Sequence, residues 1–224
     1  MMTEQQHQRQ KKLIRTLWIG FLCCLSAIPL YVFTVKINLW NLYGALPSLA
    51  VLENPKNNLS SELYAADGVL LGKYFRDNRS PVDYEDISPN MIHALLATED
   101  HRFEEHAGID LKGLYRAFLV SILLQKHKGG GSTLSQQLAK NLFKTRSEKY
   151  KGLLSNLPLI KTVIVKTKEW ILAVQLERSY TKKEILTMYL NTVSFGSNAF
   201  GLKVAAKTFF STTPDLLSIE QAAL

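Results

Sequence analysis

The sequence predicts a mainly α-helical domain with a small β-hairpin near its start, preceded by one membrane-spanning helix. Three observations carry that prediction. An uncharged apolar run, TLWIGFLCCLSAIPLYVFTV, extends from Thr16 to Val35. Asp67-Gly68 stands between two β-prone runs in SELYAADGVLLGKYF, a tight-turn signature. From Ser88 onward, capping residues open one apolar helical segment after another.

The apolar run has the length of a span, since about twenty helical residues cover the ~30 Å of a bilayer core. Arg9, Lys11, Lys12 and Arg15 precede it, and the positive-inside rule keeps that end cytoplasmic. A cleaved signal peptide would have a shorter apolar core and a small-residue cleavage site. Both cysteines, Cys23 and Cys24, lie inside the run, so the exported part has no disulfides or thiolate metal sites. Pro29 is tolerable there. The organisation expected in chain order is a cytoplasmic basic tail without regular structure over 1–12, an anchor over 13–35, a connector over 36–60 and a folded domain over 61–224. IEQAAL closes the sequence without a helix cap, so that domain is expected to be truncated at its C-terminus.

Within the domain, Ser88-Pro89 is read as N-cap and first position of a helix that ends at Glu99. Asp110 caps a second helix, which stops at Gly129-Gly130-Gly131. Thr133-x-x-Gln136, Thr181-x-x-Glu184 and Ser218-x-x-Gln221 are expected capping boxes, and a long helix covers roughly 159–178. The chain carries 27 Lys+Arg against 19 Asp+Glu, a net charge of +8, which favours anionic partners such as phosphate-bearing substrates or an acidic membrane face.

Four features could carry chemistry. Glu99, near the end of an apolar helix, is expected to be half buried and so suited to proton transfer, with Asp100 holding it or raising its pKa. A solvated helix end is the plain alternative. His101 and His106 lack zinc spacing, and His106 is read as structural, bonding the backbone near Gly108. KGGGSTLSQQLAKN lets an anion approach a helix N-terminus and places Gln136, Gln137 and Lys140 on one face. Lys166 and Glu169, one helical turn apart, form either a surface pair or a phosphate contact with its orienting acid, or a cation ligand. Leu114–Leu124 and Leu153–Val165 are apolar on nearly every face, which suits core burial or, beside Lys126, Lys128 and Lys151, insertion into a membrane surface.

These motifs, in this order, resemble the peptidoglycan glycosyltransferases: the glycosyltransferase domain of class A penicillin-binding proteins and their monofunctional relatives. The first family motif stands as Glu99, Asp100, Phe103, His106 and Gly108. The second stands as Gly130, Ser132, Thr133, Gln136, Gln137, Lys140 and Asn141. The third keeps Lys166 and Glu169, with Val165 where the family has arginine and with Lys161 and Lys168 nearby. The fourth is Lys182, Glu184, Ile185, Leu186, Tyr189, Leu190 and Asn191, and the fifth includes Gly196, Gly201, Ala205, Ala206 and Phe209.

The resemblance implies a lysozyme-like helical fold with a membrane-embedded jaw. It implies polymerisation of lipid II into β-1,4-linked glycan with inversion and release of undecaprenyl pyrophosphate. Glu99 would be the general base and Glu169 the second catalytic acid. Asp100, Ser132, Thr133, Gln136, Gln137, Lys140, Asn141, Arg146 and Lys166 would bind substrate, and Leu114–Leu124 would hold the lipid tail. Glu169 would orient the cationic cluster or ligate Mg²⁺ or another divalent cation, without an organic cofactor. Partners would be lipid II, the growing glycan, membrane lipids and cell-wall synthesis proteins, not nucleic acid. The place would be the cytoplasmic (inner) membrane, crossed once, with the domain on the outer side. A lytic glycosidase on the same plan and an inactive cell-wall scaffold are the alternatives; the lytic enzyme would not need Lys140 and Lys166 gathered near a second acid.

Overall fold

A computed structural model describes residues 4–49, 61–74, 78–124 and 131–224. The connector over 50–60, Lys126, Lys128, and the glycine stop with Gly130 of the second motif lie outside the described residues. The described chain is mainly helical and divides into two compact units that do not follow chain order: 1–46 with 150–168, and 47–149 with 169–224.

The first unit begins with α1 (Glu4–Lys36). The helix starts at Glu4, so the basic tail expected to lack regular structure is helical from that point; Gln5, Arg9 and Lys12 are good helix formers and extend the apolar segment towards its N-terminus. Gln8–Lys36 is long and apolar enough to cross a membrane. Its large side chains, Leu17, Trp18, Leu25 and Ile28 among them, are exposed, as they would not be in the core helix of a soluble protein. Asn38, in the left-handed region, ends the helix, and its side chain donates to Asn41 Oδ1 and accepts from the Tyr43 amide. The chain then passes close to 150–157. Gly44 has φ +78°, and a Cβ there would run into the backbone of Tyr150, Lys151 and Gly152. The Leu154 amide donates to the Leu42 carbonyl at 2.9 Å. Lys168, 1% exposed, donates to the carbonyls of Ala45 (3.2 Å) and Tyr150 (2.8 Å), so its charge is spent inside the unit. Burial pushes its pKa down from the usual lysine value to about 8.

In the second unit, β1 (Ser61–Tyr64) and β2 (Leu70–Tyr74) form the expected antiparallel hairpin, closed around Asp67-Gly68, with Asp67 Oδ1 accepting from the Val69 amide. Two residues of β3 (Asn78–Arg79) pair in parallel with β4 (Ala199–Phe200). The helices are α2 (Pro89–Glu99), α3 (Leu111–Leu124), α4 (Leu134–Phe143), the second half of α5 (Pro158–Ser179), α6 (Lys182–Thr192), α7 (Leu202–Phe210) and α8 (Ile219–Ala223). Ser88 caps α2 by accepting from the Met91 amide, and Asp110 accepts from the Gly113 amide at the start of α3. Thr181–Glu184 and Ser218–Gln221 form full capping boxes. Thr133 caps α4, but Gln136 does not reach back to complete a box: its amide donates instead to the buried Gly108 carbonyl. Leu134, Leu138, Leu172, Leu176, Ile185 and Leu190 are fully buried and form the core, with α4 packed on α6 and α2 on α8. Asn191 does the work of a strand residue, exchanging two 2.9 Å hydrogen bonds with the Val82 backbone.

Candidate active site

Glu99 is the last residue of α2, and Asp100, with φ −158°, turns the chain out of the helix. The two carboxylates part there. Asp100 is 7% exposed and accepts from His106 Nε2 at 3.0 Å and from the Leu134 amide, at the first turn of α4, at 3.0 Å. His106 Nδ1 accepts from the Gly108 amide at 3.2 Å, so its proton sits on Nε2 and points at Asp100. The structural reading of His106 therefore holds, and it extends to Asp100. Gly108 has φ +92° and lies so close to Ala173 that a Cβ would strike its backbone. Its carbonyl accepts from Thr133 Oγ1 (2.8 Å) and Gln136 Nε2 (3.3 Å). Asp100, Thr133 and Gln136 thus face inward and join the turn after α2 to the start of α4.

Glu99 goes the other way. It is exposed, not half buried, because the helix ends where the core does. Its Oε2 accepts from Gln137 Nε2 at 2.7 Å, and Gln137 Oε1 accepts from the Tyr189 hydroxyl at 3.1 Å. Burial first, and then the charge of Glu99, push the Tyr189 pKa up to about 12, which keeps the phenol a donor. A cavity of about 270 Å³ opens beside Glu99, lined also by His101, Asp110, Arg116, Ser132 and Thr133. Partial burial raises the Asp110 pKa, but hydrogen bonds from Arg102 and the Gly113 amide outweigh it and hold the carboxyl below its usual range.

Further along, Glu169 is 1% exposed, and its Oε1 lies 3.4 Å from Thr145 Oγ1 and 3.6 Å from Arg146 Nε. Arg146, expected from the sequence as a loose candidate, is thereby placed against the second acid. Lys140 is exposed on α4, one turn after Gln137, and Asn141 beside it is half buried. Lys166 belongs to the half of α5 that lies in the first unit. Among the described residues no three His, Cys, Asp or Glu side chains gather as a metal site. Mg²⁺ is commonly held by one or two carboxylates with water and phosphate oxygens, and Glu169 would be the carboxylate that holds such a cation here.

Several residues that shape the site had no local signal. Arg116 reads as a charge on an apolar helix, and Tyr189 as core within ILTMYLN. Lys182 donates to Glu177 Oε2 (2.8 Å) and to the His106 carbonyl (2.7 Å) and lies over the Phe103 ring, while Ser135 Oγ donates to Glu177. This pair fixes the turn from the α6 side, and only the motif order pointed to Lys182.

The family model described as Transglycosylase matches residues 67–224, most of the chain and every residue of this site. The chain belongs to the transglycosylase family. Penicillin-binding protein 1A of Escherichia coli (strain K12) is 36% identical over 179 residues, 80% of this chain and 20% of that protein. Penicillin-binding protein 1A of Aquifex aeolicus is 37% identical over 213 residues, 94% and 27% of the two chains. Penicillin-binding protein 1F of Bacillus subtilis is 37% identical over 165 residues, 74% and 21%. The chain therefore spans about a quarter or less of the length of these relatives. Within the transglycosylase family match fall both candidate acids, the glutamines and the basic residues described above.

Proposed function

We propose that the chain is a membrane-anchored peptidoglycan glycosyltransferase that polymerises lipid II in bacterial cell-wall synthesis. The observation that carries this reading is an exposed carboxylate, Glu99, held by Gln137 at the edge of a cavity, within the transglycosylase match. Glu99 takes the proton from the acceptor's GlcNAc 4-hydroxyl, and that oxygen attacks the anomeric carbon of the donor MurNAc from the face opposite the leaving group. A β-1,4 bond forms with inversion as undecaprenyl pyrophosphate departs. Lys140 and Arg146 balance the charge growing on the pyrophosphate, and Glu169 orients Arg146. Ser132 and Asn141 contact the sugar–phosphate. Asp100, Thr133 and Gln136 serve by holding the wall of the site.

An apolar helix over Gln8–Lys36 and the basic residues of its N-terminal part support a glycosyltransferase domain on the outer face of the cytoplasmic membrane. Leu153, Leu157, Leu159 and Val163, all exposed, with Trp40 at 81% exposure, give the first unit an apolar face suited to membrane lipid. Cell-wall synthesis proteins are further partners on this reading.

The test is polymerisation of lipid II by the detergent-solubilised chain beside Glu99→Gln. Wild type is expected to yield long glycan strands, and the variant to lose at least about 100-fold, the lower range for a lost general base. A folded wild type that makes no polymer refutes the reading. Shortening of existing glycan would instead identify a lytic enzyme.

A further inference from the structure

Glu99 presents a mechanical problem. It is exposed, it closes a helix, and a glutamate side chain has many rotamers, yet a general base must meet its proton in one geometry. The solution is a chain of hydrogen bonds with one possible polarity. A carboxylate only accepts, so the group facing Glu99 Oε2 at 2.7 Å must be the NH₂ of Gln137. The Gln137 oxygen then faces the opposite way and needs a donor, which the Tyr189 hydroxyl supplies at 3.1 Å. Oxygen and nitrogen of the amide are distinguished by those two partners alone. Without the phenolic hydroxyl the amide oxygen loses its donor, and the NH₂ that faces the carboxylate is no longer tied to the core.

The far end of the chain is rigid. Tyr189 is 5% exposed on α6, between the fully buried Leu186 and Leu190, and α6 is opened by a complete capping box. Gln137 is carried on α4 between the buried Gln136 and Leu138. The core thus fixes a tyrosine, the tyrosine fixes an amide, and the amide fixes an otherwise free carboxylate through one oxygen. Oε1 is left for the acceptor hydroxyl.

We propose that Tyr189 is a positioning residue for the transfer reaction: its hydroxyl sets the orientation of the Gln137 amide, which holds Glu99 in the geometry for proton abstraction. The proposal rests on the reading of Glu99 as general base, and it makes Gln137 a positioning residue rather than a sugar contact.

The test measures kcat and KM for lipid II polymerisation, with melting temperature, for wild type, Tyr189→Phe, Gln137→Met, the double variant and Glu99→Gln. Tyr189→Phe is expected to lower kcat about three- to tenfold with KM within about twofold, the scale of one hydrogen bond between neutral groups. Gln137→Met is expected to lower kcat about 10- to 30-fold, again at unchanged KM. Because the tyrosine acts through the glutamine, the double variant should be no worse than Gln137→Met alone.

Losses that multiply in the double variant, a wild-type kcat in Tyr189→Phe, or a raised KM in Gln137→Met would each overturn the proposal. Should Tyr189→Phe fail to melt cooperatively, Gln137→Met alone decides by the split between kcat and KM. An active Glu99→Gln refutes the general base and the proposal with it. An inactive Glu99→Gln beside a fully active Tyr189→Phe refutes the positioning role alone.

Discussion

The inward course of Asp100 gives a prediction in stability rather than in turnover. Its carboxylate accepts from His106 Nε2 and from the Leu134 amide, both at 3.0 Å, and it stands as an anion at the N-terminus of α4. Asp100→Ala strands two buried donors at once. Each orphaned donor costs about 1–3 kcal/mol, so the variant should lose about 4 kcal/mol. At about 2–4 °C per kcal/mol for a chain of this size, the melting temperature should fall by about 8–16 °C. Asp100→Asn keeps one oxygen, able to accept from the Leu134 amide, but turns an NH₂ towards a histidine whose own proton already points there. It should lose about 1–2 kcal/mol, the net worth of one such bond. The assay is thermal unfolding in detergent followed by circular dichroism, at one pH and one protein concentration. If Asp100→Ala melts within about 1 °C of wild type, the carboxylate does not hold the turn, and a loss of activity in that variant would put Asp100 in contact with substrate instead.

Two further outcomes concern the first unit. Lys168 titrates near 8 when folded and near 10.4 when unfolded, so between those values the unfolded chain binds more protons and stability rises with pH; wild type should gain about 2 kcal/mol from pH 8 to 9.5 in chemical unfolding, a gain that Lys168→Met lacks. Gly44→Ala should cost at least about 3 kcal/mol, because φ is +78° and the added Cβ meets only backbone, which cannot swing aside; limited proteolysis near residues 150–157 would report the loosening, and an unchanged cleavage rate would refute the close approach.

Local chemistry made much of the fold legible. Ser88, Asp110, Thr181 and Ser218 cap the helices they were expected to cap, because a cap needs only its own side chain and the next amides. The Asp67-Gly68 hairpin was visible for the same reason. Thr133-x-x-Gln136 shows the limit. It has the pattern of the Thr181 box, yet Gln136 turns to a buried carbonyl from another segment, and no local pattern records that acceptor. The division into units was likewise hidden. It depends on residues 150–157 meeting the chain after α1 backbone to backbone, through Leu154, Leu42, Gly44 and Gly152, and such contacts leave little trace beyond a glycine.

The site was legible as a set of residues and not as an arrangement. Glu99 and Asp100 looked like one pair of titratable groups, and Gln136 and Gln137 like one pair of amides. In each pair the two neighbours face different ways: Gln136 and Gln137 because successive residues of a helix are rotated by about 100°, Glu99 and Asp100 because the chain leaves the helix between them. Asp100 and Gln136 bond backbone groups of other segments, and Glu99 and Gln137 bond each other. Thr145 and Arg146 divide similarly around Glu169, one buried and one exposed. Each doublet therefore joins a buried residue to a more exposed one. On this arrangement a substitution at the inner member should show first in melting temperature, and one at the outer member first in kcat. The resting point of the reactive carboxylate is then set by both: by Asp100 through the chain that carries Glu99, and by Gln137 through the side chain itself.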